Sequence, residues 1–308
     1  MFNVKDPDEP VLTVVIPAYN ADKFIGETLE SIVNQKTNFK FDVLISDDCS
    51  TDNTYEICKK YSEDFNFIKI IRQKKNLGMT KNQHFVITYS QSKYIAYIDS
   101  DDLFCNDVYL QKQFDFLEER QEVTVVFSNV EIFDNHSTNK IRFDKNNKPP
   151  VVFDLHYYFQ NTIPICNSAT VFRGFYNDAI PMFFVNYFQY DWLLHIHHGL
   201  NGKFGYNNFI GTSYRIHDNN ATNIRFAEKK IKDAIKLVYS IKPFLPTEYH
   251  KYFKHPLYEM NSLALFYLRY KKFHKFIYWY FKWLKCSSWK DIKIRDEFWL
   301  FRQEFFKK

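Results

Sequence analysis

The chain has 308 residues, a length that suits one large domain with an extension or two domains. Hydrophobic residues make up 45% and charged residues 25%, a balance that excludes wholesale disorder. The net charge of +5 hides an asymmetry, because residues 1–226 hold 22 Lys/Arg against 28 Asp/Glu and residues 227–308 hold 19 against 8. We therefore expect two domains with different roles, divided between residues 226 and 227.

Strands and helices are predicted to alternate along the first 133 residues. Short β-branched apolar runs predict strands, and apolar residues at helical spacing predict helices. The predicted strands are 11–17, 41–46, 67–72, 94–98 and 123–133, and the predicted helices are 22–35, 53–64, 79–91 and 107–119. This order predicts an α/β fold with a mostly parallel sheet flanked by helices, in which ligands bind beyond the carboxyl ends of the strands.

The pattern is less regular after residue 133. A strand is predicted at 165–173, a helix at 189–200, and strand material around a turn at 203–217. Residues 227–308 predict a basic, aromatic-rich helical extension, which contains an amphipathic helix at 265–285. The lysines of this helix fall on one side, which suits either an anionic membrane surface or packing of the apolar side on the first domain.

Cysteine spacing and hydropathy indicate the compartment. The five cysteines form no CxxC pair, which is typical of reduced thiols and not of a zinc site. The polar N-terminus lacks the apolar core of a secretion signal, and no run of about 18 apolar residues predicts a transmembrane helix. We expect a cytoplasmic protein, and peripheral association with the inner face of the cell membrane stays open.

Three carboxylates, Asp99, Asp101 and Asp102, follow the fourth predicted strand within four positions. Like charges at this spacing repel one another. Two carboxylates at i and i+2 can converge on Mg²⁺ or Mn²⁺, which prefer oxygen ligands, and the cation would remove the repulsion. The alternative is a solvated acidic turn that caps the next helix.

Two further polar clusters follow neighbouring strands. Asp47 and Asp48 follow the second predicted strand, where a carboxylate can accept a hydrogen bond from a nucleobase or a ribose. Tyr19 follows a Pro-Ala turn after the first strand and can stack on a nucleobase. Three such clusters after three strands are hard to explain as independent helix caps.

The order of these motifs resembles that of glycosyltransferase family 2, whose members have the GT-A fold. The resemblance covers roughly residues 11–225. Its motifs are VVIPAYN (14–20), ISDDCSTDNT (45–54), NLGMTKN (76–82), YIDSDD (97–102), YDWLL (190–194) and YRIHDNNAT (214–222).

The resemblance implies an activity. Members transfer a sugar, with inversion and with a divalent metal, from a nucleotide diphosphate donor that is usually a UDP-sugar. The expected enzyme is a hexosyl- or N-acetylhexosaminyltransferase. It would act on a hydroxyl of a glycan or lipid-linked acceptor in cell-surface polysaccharide synthesis.

The resemblance also implies a role for individual residues. The nucleotide would be bound by Pro17, Tyr19, Asn20, Asp48, Lys81 and Asp99. Mn²⁺ or Mg²⁺ would be bound by Asp99 and Asp101, with His217 as a third ligand or as a contact to the diphosphate, and Asp102 would order the turn. The catalytic base would be Asp191, with a helix-capping role as the alternative. Contacts to the sugars would come from Asn167, Ser168, Trp192 and Arg215, and Arg215 either pairs with the phosphates or supports the acidic cluster.

Two other functions compete with this one. A nucleotidylyltransferase would carry a Gly-rich, basic loop after the first strand, but the loop here is PAYNADKF. A non-enzymatic nucleotide-binding protein is the second alternative. The basic tail would permit a nucleic-acid partner, but we expect none because the carboxylates at the sheet edge repel phosphates. The oligomeric state stays open.

Overall fold

The computed structural model of the chain describes residues 9–134, 137–144, 146–161, 163–174, 180–217 and 227–253, together with His274, Lys275 and Tyr278. The chain divides into two compact units. The first consists of residues up to 186 together with 190–217, and the second consists of 187–189 and the residues from 218 onward. The predicted boundary between residues 226 and 227 stays a prediction, because residues 218–226 lie outside the described part of the chain.

The first unit contains a sheet of ten strands and six α-helices among its described residues. The strands are β1 (Leu12–Ala18), β2 (Phe41–Asp47), β3 (Ile68–Arg72), β4 (Tyr94–Tyr97), β5 (Leu103–Phe104), β6 (Val123–Asp134), β7 (Ser137–Ile141), β8 (Val152–Phe153), β9 (Thr170–Arg173) and β10 (Lys203–Arg215). The helices are α1 (Ile25–Val33), α2 (Thr54–Asp64), α3 (Met79–Tyr89), α4 (Tyr109–Glu119), α5 (Leu155–Asn161) and α6 (Tyr190–Asn201). Short 3₁₀ helices lie at Asn167–Ala169 and Met182–Asn186.

The strand order is β3-β2-β1-β4-β9-β6-β10-β5, with β7 beside β6 and β8 beside β10. The long pairings β1–β2, β2–β3, β1–β4 and β6–β10 are parallel. Strand β9 lies between β4 and β6 and is antiparallel to both. The predicted α/β fold with a mostly parallel sheet is therefore confirmed.

Burial explains why the central strands read as apolar runs. Strand β4 is buried at every position, and β1 at all but one. Strands of a parallel sheet that are buried on both faces need apolar side chains at consecutive positions. The apolar sides of α1 and α4 join the same core through Ile25, Leu29 and Leu110.

The structure corrects two of the predicted elements. The strand expected at 165–173 begins only at Thr170, because Asn167–Ala169 forms a 3₁₀ turn. The segment 203–217 is not strand material around a turn but one long strand, β10, whose pairing with β6 shifts register after Asn207. A β-bulge, which inserts an extra residue without reversing the chain, gives the same turn-like sequence signal.

The second unit contains α7 (Ala227–Ile241) and the 3₁₀ helices Lys242–Phe244 and Thr247–Phe253. Lys232 and Lys275 approach Glu228 of α7 at 2.6 and 3.9 Å. The helix predicted at 265–285 lies outside the described residues except for His274, Lys275 and Tyr278, which are helical.

The described residues contain no helix long and apolar enough to cross a bilayer. Contact of the basic extension with an anionic membrane surface stays a prediction, which co-sedimentation with anionic vesicles tests.

Two histidines on the buried side of α6 should make the free energy of unfolding depend on pH. Burial lowers the pKa of His195 to about 3 and that of His198 well below its usual range. The unfolded chain, whose histidines have a pKa of about 6.5, binds more protons than the folded chain below that pH. Each histidine should therefore reduce the free energy of unfolding by up to about 1.4 kcal/mol per pH unit as the pH falls below 6.5.

Urea denaturation between pH 7 and pH 5 measures this slope. The variant His198→Leu removes one of the two groups. The slope of its free energy of unfolding against pH should be smaller by the contribution of about one proton. An unchanged slope in this variant would contradict a neutral, buried His198.

Candidate functional site

The carboxyl ends of three neighbouring strands meet at one edge of the sheet. Strand β1 lies between β2 and β4 and is parallel to both. Ala18 at the end of β1 pairs with Asp47 at the end of β2, and Val15 pairs with Tyr97 at the end of β4. The three polar clusters of the sequence therefore emerge side by side, where α/β sheets bind ligands.

Asp102 orders the acidic turn after β4, as the sequence predicted. Its side chain is fully buried and accepts hydrogen bonds from the Ser168 hydroxyl and, at 3.0 Å, from the backbone N–H of Arg215. Burial, together with the charges of Asp101 and Asp99, raises the pKa of Asp102 well above its usual range. Asp102 thus ties the acidic turn to the 3₁₀ turn before β9 and to the end of β10.

Asp99 is held by a tyrosine that the sequence reasoning missed. The hydroxyl of Tyr97 donates to Asp99 Oδ1 at 2.7 Å, and Gln83 donates to the same hydroxyl at 2.8 Å. Burial and the neighbouring Asp101 raise the pKa of Asp99 to about 7. The two-residue period of a strand places Tyr97 on the same side as Asp99, and this signal could have identified Tyr97.

Asp101 and His217 form the second contact of the turn. Asp101 Oδ2 lies 2.8 Å from His217 Nε2, and the His217 ring packs on Phe24 with centroids 4.5 Å apart. Arg215 donates to the backbone carbonyl of Asp101 at 3.0 Å and pairs with Glu27 at 2.5 Å. Arg215 therefore contacts the acidic turn, and its pairing with phosphates stays a prediction.

The predicted metal ligands are adjacent in pairs. Among the described residues, no three His, Cys, Asp or Glu side chains form a ready metal-binding group. Asp101 contacts His217, and its charge acts on Asp99. A divalent cation with oxygen preference would relieve the repulsion between the two carboxylates. The residue types therefore suit Mg²⁺ or Mn²⁺, and a metal-ligand role for Asp99, Asp101 and His217 stays a prediction.

The loops after β1 and β2 are bound to each other through Asn20. Its backbone takes a positive φ of 50°, its N–H donates to Ser50 Oγ at 3.0 Å, and its Oδ1 accepts from the N–H of Thr51 at 2.9 Å. The preceding residue, Tyr19, is 49% exposed, and Pro17 is half-buried at the end of β1. An exposed ring on a fixed loop is suited to stacking on a planar base.

Asp48 holds the loop that leads into α3. Its carboxylate accepts from the backbone N–H groups of Leu77 and Gly78 at 2.6 and 2.9 Å. Gly78 has a φ of 86°, which favours glycine, and Lys81 in the first turn of α3 is exposed. A contact from Asp48 to a nucleobase stays a prediction. Its neighbour Asp47 is buried and lies 3.5 Å from Arg72.

The two predicted sugar contacts before β9 differ in their surroundings. Ser168 is fully buried, and its hydroxyl contacts both Asp99 and Asp102, so it supports the acidic turn. Asn167 is 8% exposed, and neither polar atom of its amide finds a partner among the described residues. Buried amides without partners are rare, and a ligand can supply the missing hydrogen bonds. A sugar contact from either residue stays a prediction.

Asp191 lies in the first turn of α6, close to the acidic turn. Its Oδ1 accepts from the backbone N–H of Trp192 at 2.7 Å, and its charge contributes to the raised pKa of Asp99. The preceding Tyr190 is fully buried, and its hydroxyl lies 3.1 Å from His84 Nδ1, which attaches α6 to α3. Asp191 therefore combines a helix-capping contact with a position near the predicted metal ligands.

Comparison with known proteins shows the family to which the chain is similar. Residues 13–180 match the family model described as Glycosyl transferase family 2. The chain is similar to TuaG of Bacillus subtilis, which is named a teichuronic acid biosynthesis glycosyltransferase, with 33% identity over 112 residues, 36% of this chain and 44% of TuaG. The chain spans about half the length of the curated relatives it matches.

Solved structures show the same fold. S. aureus TarS 1–349 in complex with UDP-GlcNAc matches with a TM-score of 0.62 and 16% identity, over 90% of this chain and 81% of TarS. The mannosyltransferase PcManGT of Pyrobaculum calidifontis, in complex with GDP-Man and Mn²⁺, matches with a TM-score of 0.59 and 11% identity, over 97% of this chain and 82% of PcManGT. Because the family model matches more than half of its length, the chain belongs to glycosyl transferase family 2.

Proposed function

We propose that the chain is an inverting, metal-dependent glycosyltransferase that uses a UDP-sugar donor. It transfers a hexosyl or N-acetylhexosaminyl group to a hydroxyl of a glycan or lipid-linked acceptor in cell-surface polysaccharide synthesis. The observation that carries the proposal is that the Asp99–Asp101 pair follows β4 at the edge of the sheet where the carboxyl ends of the parallel strands β1, β2 and β4 meet. Family membership, the UDP-GlcNAc complex of TarS and the name of TuaG support it.

The nucleotide would occupy the edge formed by the loops after β1 and β2. Stacking of a base on Tyr19 would contribute roughly 1–3 kcal/mol, and Pro17 and Asn20 keep the loop in place. Asp48 would accept from the base, and the cationic Lys81 lies at the start of α3, where a diphosphate is favoured.

Asp99, Asp101 and His217 would hold the divalent cation. When bound, the cation neutralises the negative charge that develops on the departing diphosphate. The Mn²⁺ complex of PcManGT supports this choice of metal. Asp102, Ser168 and Arg215 keep the ligands in place through the hydrogen bonds described above.

Asp191 would act as the catalytic base. It removes the proton from the acceptor hydroxyl as the hydroxyl oxygen forms its bond to the anomeric carbon. The bond from that carbon to the diphosphate oxygen breaks on the opposite face, so the configuration inverts. UDP leaves with the bonding electron pair, and Asp191 returns its proton to water.

Metal-dependent binding of UDP is the first test. UDP with Mn²⁺ should raise the melting temperature of the wild-type protein, because a ligand of the folded state stabilises it. UDP without metal should have a smaller effect. Asp101→Ala should lose the metal-dependent part while keeping the fold. Indifference of the wild-type protein to UDP, with and without Mn²⁺, would refute the proposed donor class.

The role of Asp191 is tested by Asp191→Asn. The variant should bind UDP and Mn²⁺ normally but lose about 10²–10⁴-fold in transfer rate, since the amide cannot accept the proton. Transfer is measured as UDP release from the UDP-sugar that is active in a donor panel. Asp115→Asn, an exposed position on α4, is the matched control and should retain full activity. Wild-type turnover by Asp191→Asn would remove the base assignment.

A ligand-binding role for Asn167 predicts opposite effects on stability and activity. Asn167→Leu removes a buried amide without partners, so the melting temperature should stay the same or rise. Transfer should fall by about tenfold or more in kcat/KM because the substrate loses its hydrogen bonds. Asn34→Leu, at an exposed position, is the control. Loss of stability with unchanged transfer would show that Asn167 is purely structural.

A further inference from the structure

A pocket of about 260 Å³ lies beside Asp191, and the donor chemistry proposed above makes no use of it. It is formed within the first unit by α5, the segment that follows it, and the first turns of α6. The lining residues are Tyr158, Phe159, Ile163, Pro164, Ile165, Asp191, Trp192 and His195.

The walls are aromatic or aliphatic at six of these eight positions. Tyr158 stacks on Phe204 with centroids 4.7 Å apart, and Phe159 meets the Trp192 ring edge-on at 6.2 Å. Rings fixed by such packing form a pocket before any ligand enters. The size and lining suit a small apolar group.

His195, one of the lining residues, has a ring nitrogen without a hydrogen-bond partner in the described part of the chain. The residue is 3% exposed, and its Nε2 has no hydrogen-bond partner among the described residues. Burial lowers the pKa of His195 to about 3, so the ring is neutral at neutral pH. A buried ring nitrogen without a partner is costly, and a ligand atom inside the pocket can supply the missing hydrogen bond.

The number of polar side chains in the lining decides whether the pocket suits a sugar ring or an apolar group. A sugar ring carries several hydroxyls, and each one buried without a partner weakens binding. The polar side chains in the lining are Asp191 and His195, one helical turn apart on α6, together with the hydroxyl of Tyr158 and the indole N–H of Trp192. An apolar group with a single polar atom fits this lining better than a buried sugar ring does.

We propose that the pocket is an acceptor subsite that takes an alkyl or aryl aglycone. The aglycone occupies the space between Tyr158, Phe159, Ile165 and Trp192, its linking oxygen accepts a hydrogen bond from His195, and the reacting hydroxyl of the same acceptor reaches Asp191. This inference rests on the proposed transferase function, because it assigns the acceptor to the side of Asp191.

Calorimetric titration of the full chain with alkyl glycosides tests the subsite. The probes are n-octyl β-D-glucopyranoside, below its micelle concentration, and methyl β-D-glucopyranoside, each added to protein saturated with UDP and Mn²⁺. The octyl glycoside should bind at least about 30-fold more tightly, since its chain is removed from water in the pocket. Equal affinities for the two probes would overturn the subsite.

Matched variants locate the binding. Ile165→Ser, at a half-buried lining position, should weaken octyl glycoside binding by about tenfold without changing UDP binding. Val151→Ser, which removes an exposed apolar side chain outside the pocket, should change neither. His195→Phe keeps the ring shape and should also weaken binding by about tenfold. Equal behaviour of Ile165→Ser and Val151→Ser would place the binding elsewhere and overturn the proposal.

The outcomes separate this inference from the proposed function. Normal UDP binding without an octyl preference refutes the subsite and leaves the transferase intact. An octyl preference in a protein that binds no UDP refutes the acceptor role of the pocket together with the donor class.

Discussion

Repulsion among three carboxylates within four positions is the constraint on which the first unit depends. Each carboxylate of the acidic turn is compensated by a different part of the chain. Asp102 is satisfied by Ser168 and by the backbone of Arg215, Asp101 by His217, and Asp99 by Tyr97. Since these partners come from β4, from the 3₁₀ turn before β9, and from the end of β10 and the residues after it, the turn takes its shape only when the sheet has brought these segments together.

The same turn divides the site into two chemically different halves. The half formed by the loops after β1, β2 and β4 is rich in carboxylates and suits a cation with a nucleotide diphosphate. The half formed by α5 and α6 is mostly apolar apart from Asp191 and His195. Asp191 lies where the halves meet, because its charge reaches Asp99 while its side chain lines the apolar pocket.

Local sequence pattern was enough to predict the order of the first strands and helices and the position of the polar clusters at the carboxyl ends of β1, β2 and β4. The strands β1 to β4 read correctly because buried parallel strands are continuous apolar runs, and the polar clusters mark their ends. Contacts between residues that are far apart in the sequence could not be predicted from the local pattern. The pairing of Arg215 with Glu27 and of Gln83 with Tyr97 depends on how the elements pack. The two-residue strand β8 and helix α5 were missed, because their short aromatic segment has too few residues to establish a period.

The contacts around the acidic turn join residues that are far apart in the sequence, and this separation has a consequence during protein synthesis. The hydrogen bond from Arg215 to Asp102 spans 113 positions, and that between His217 and Asp101 spans 116. At about 5–20 residues per second, the ribosome would make the turn roughly 6–23 s before its last partner. Until then Asp101 lacks His217 and Asp102 lacks the backbone N–H of Arg215, so a nascent chain that stops before β10 has a partial sheet with an incomplete acidic centre.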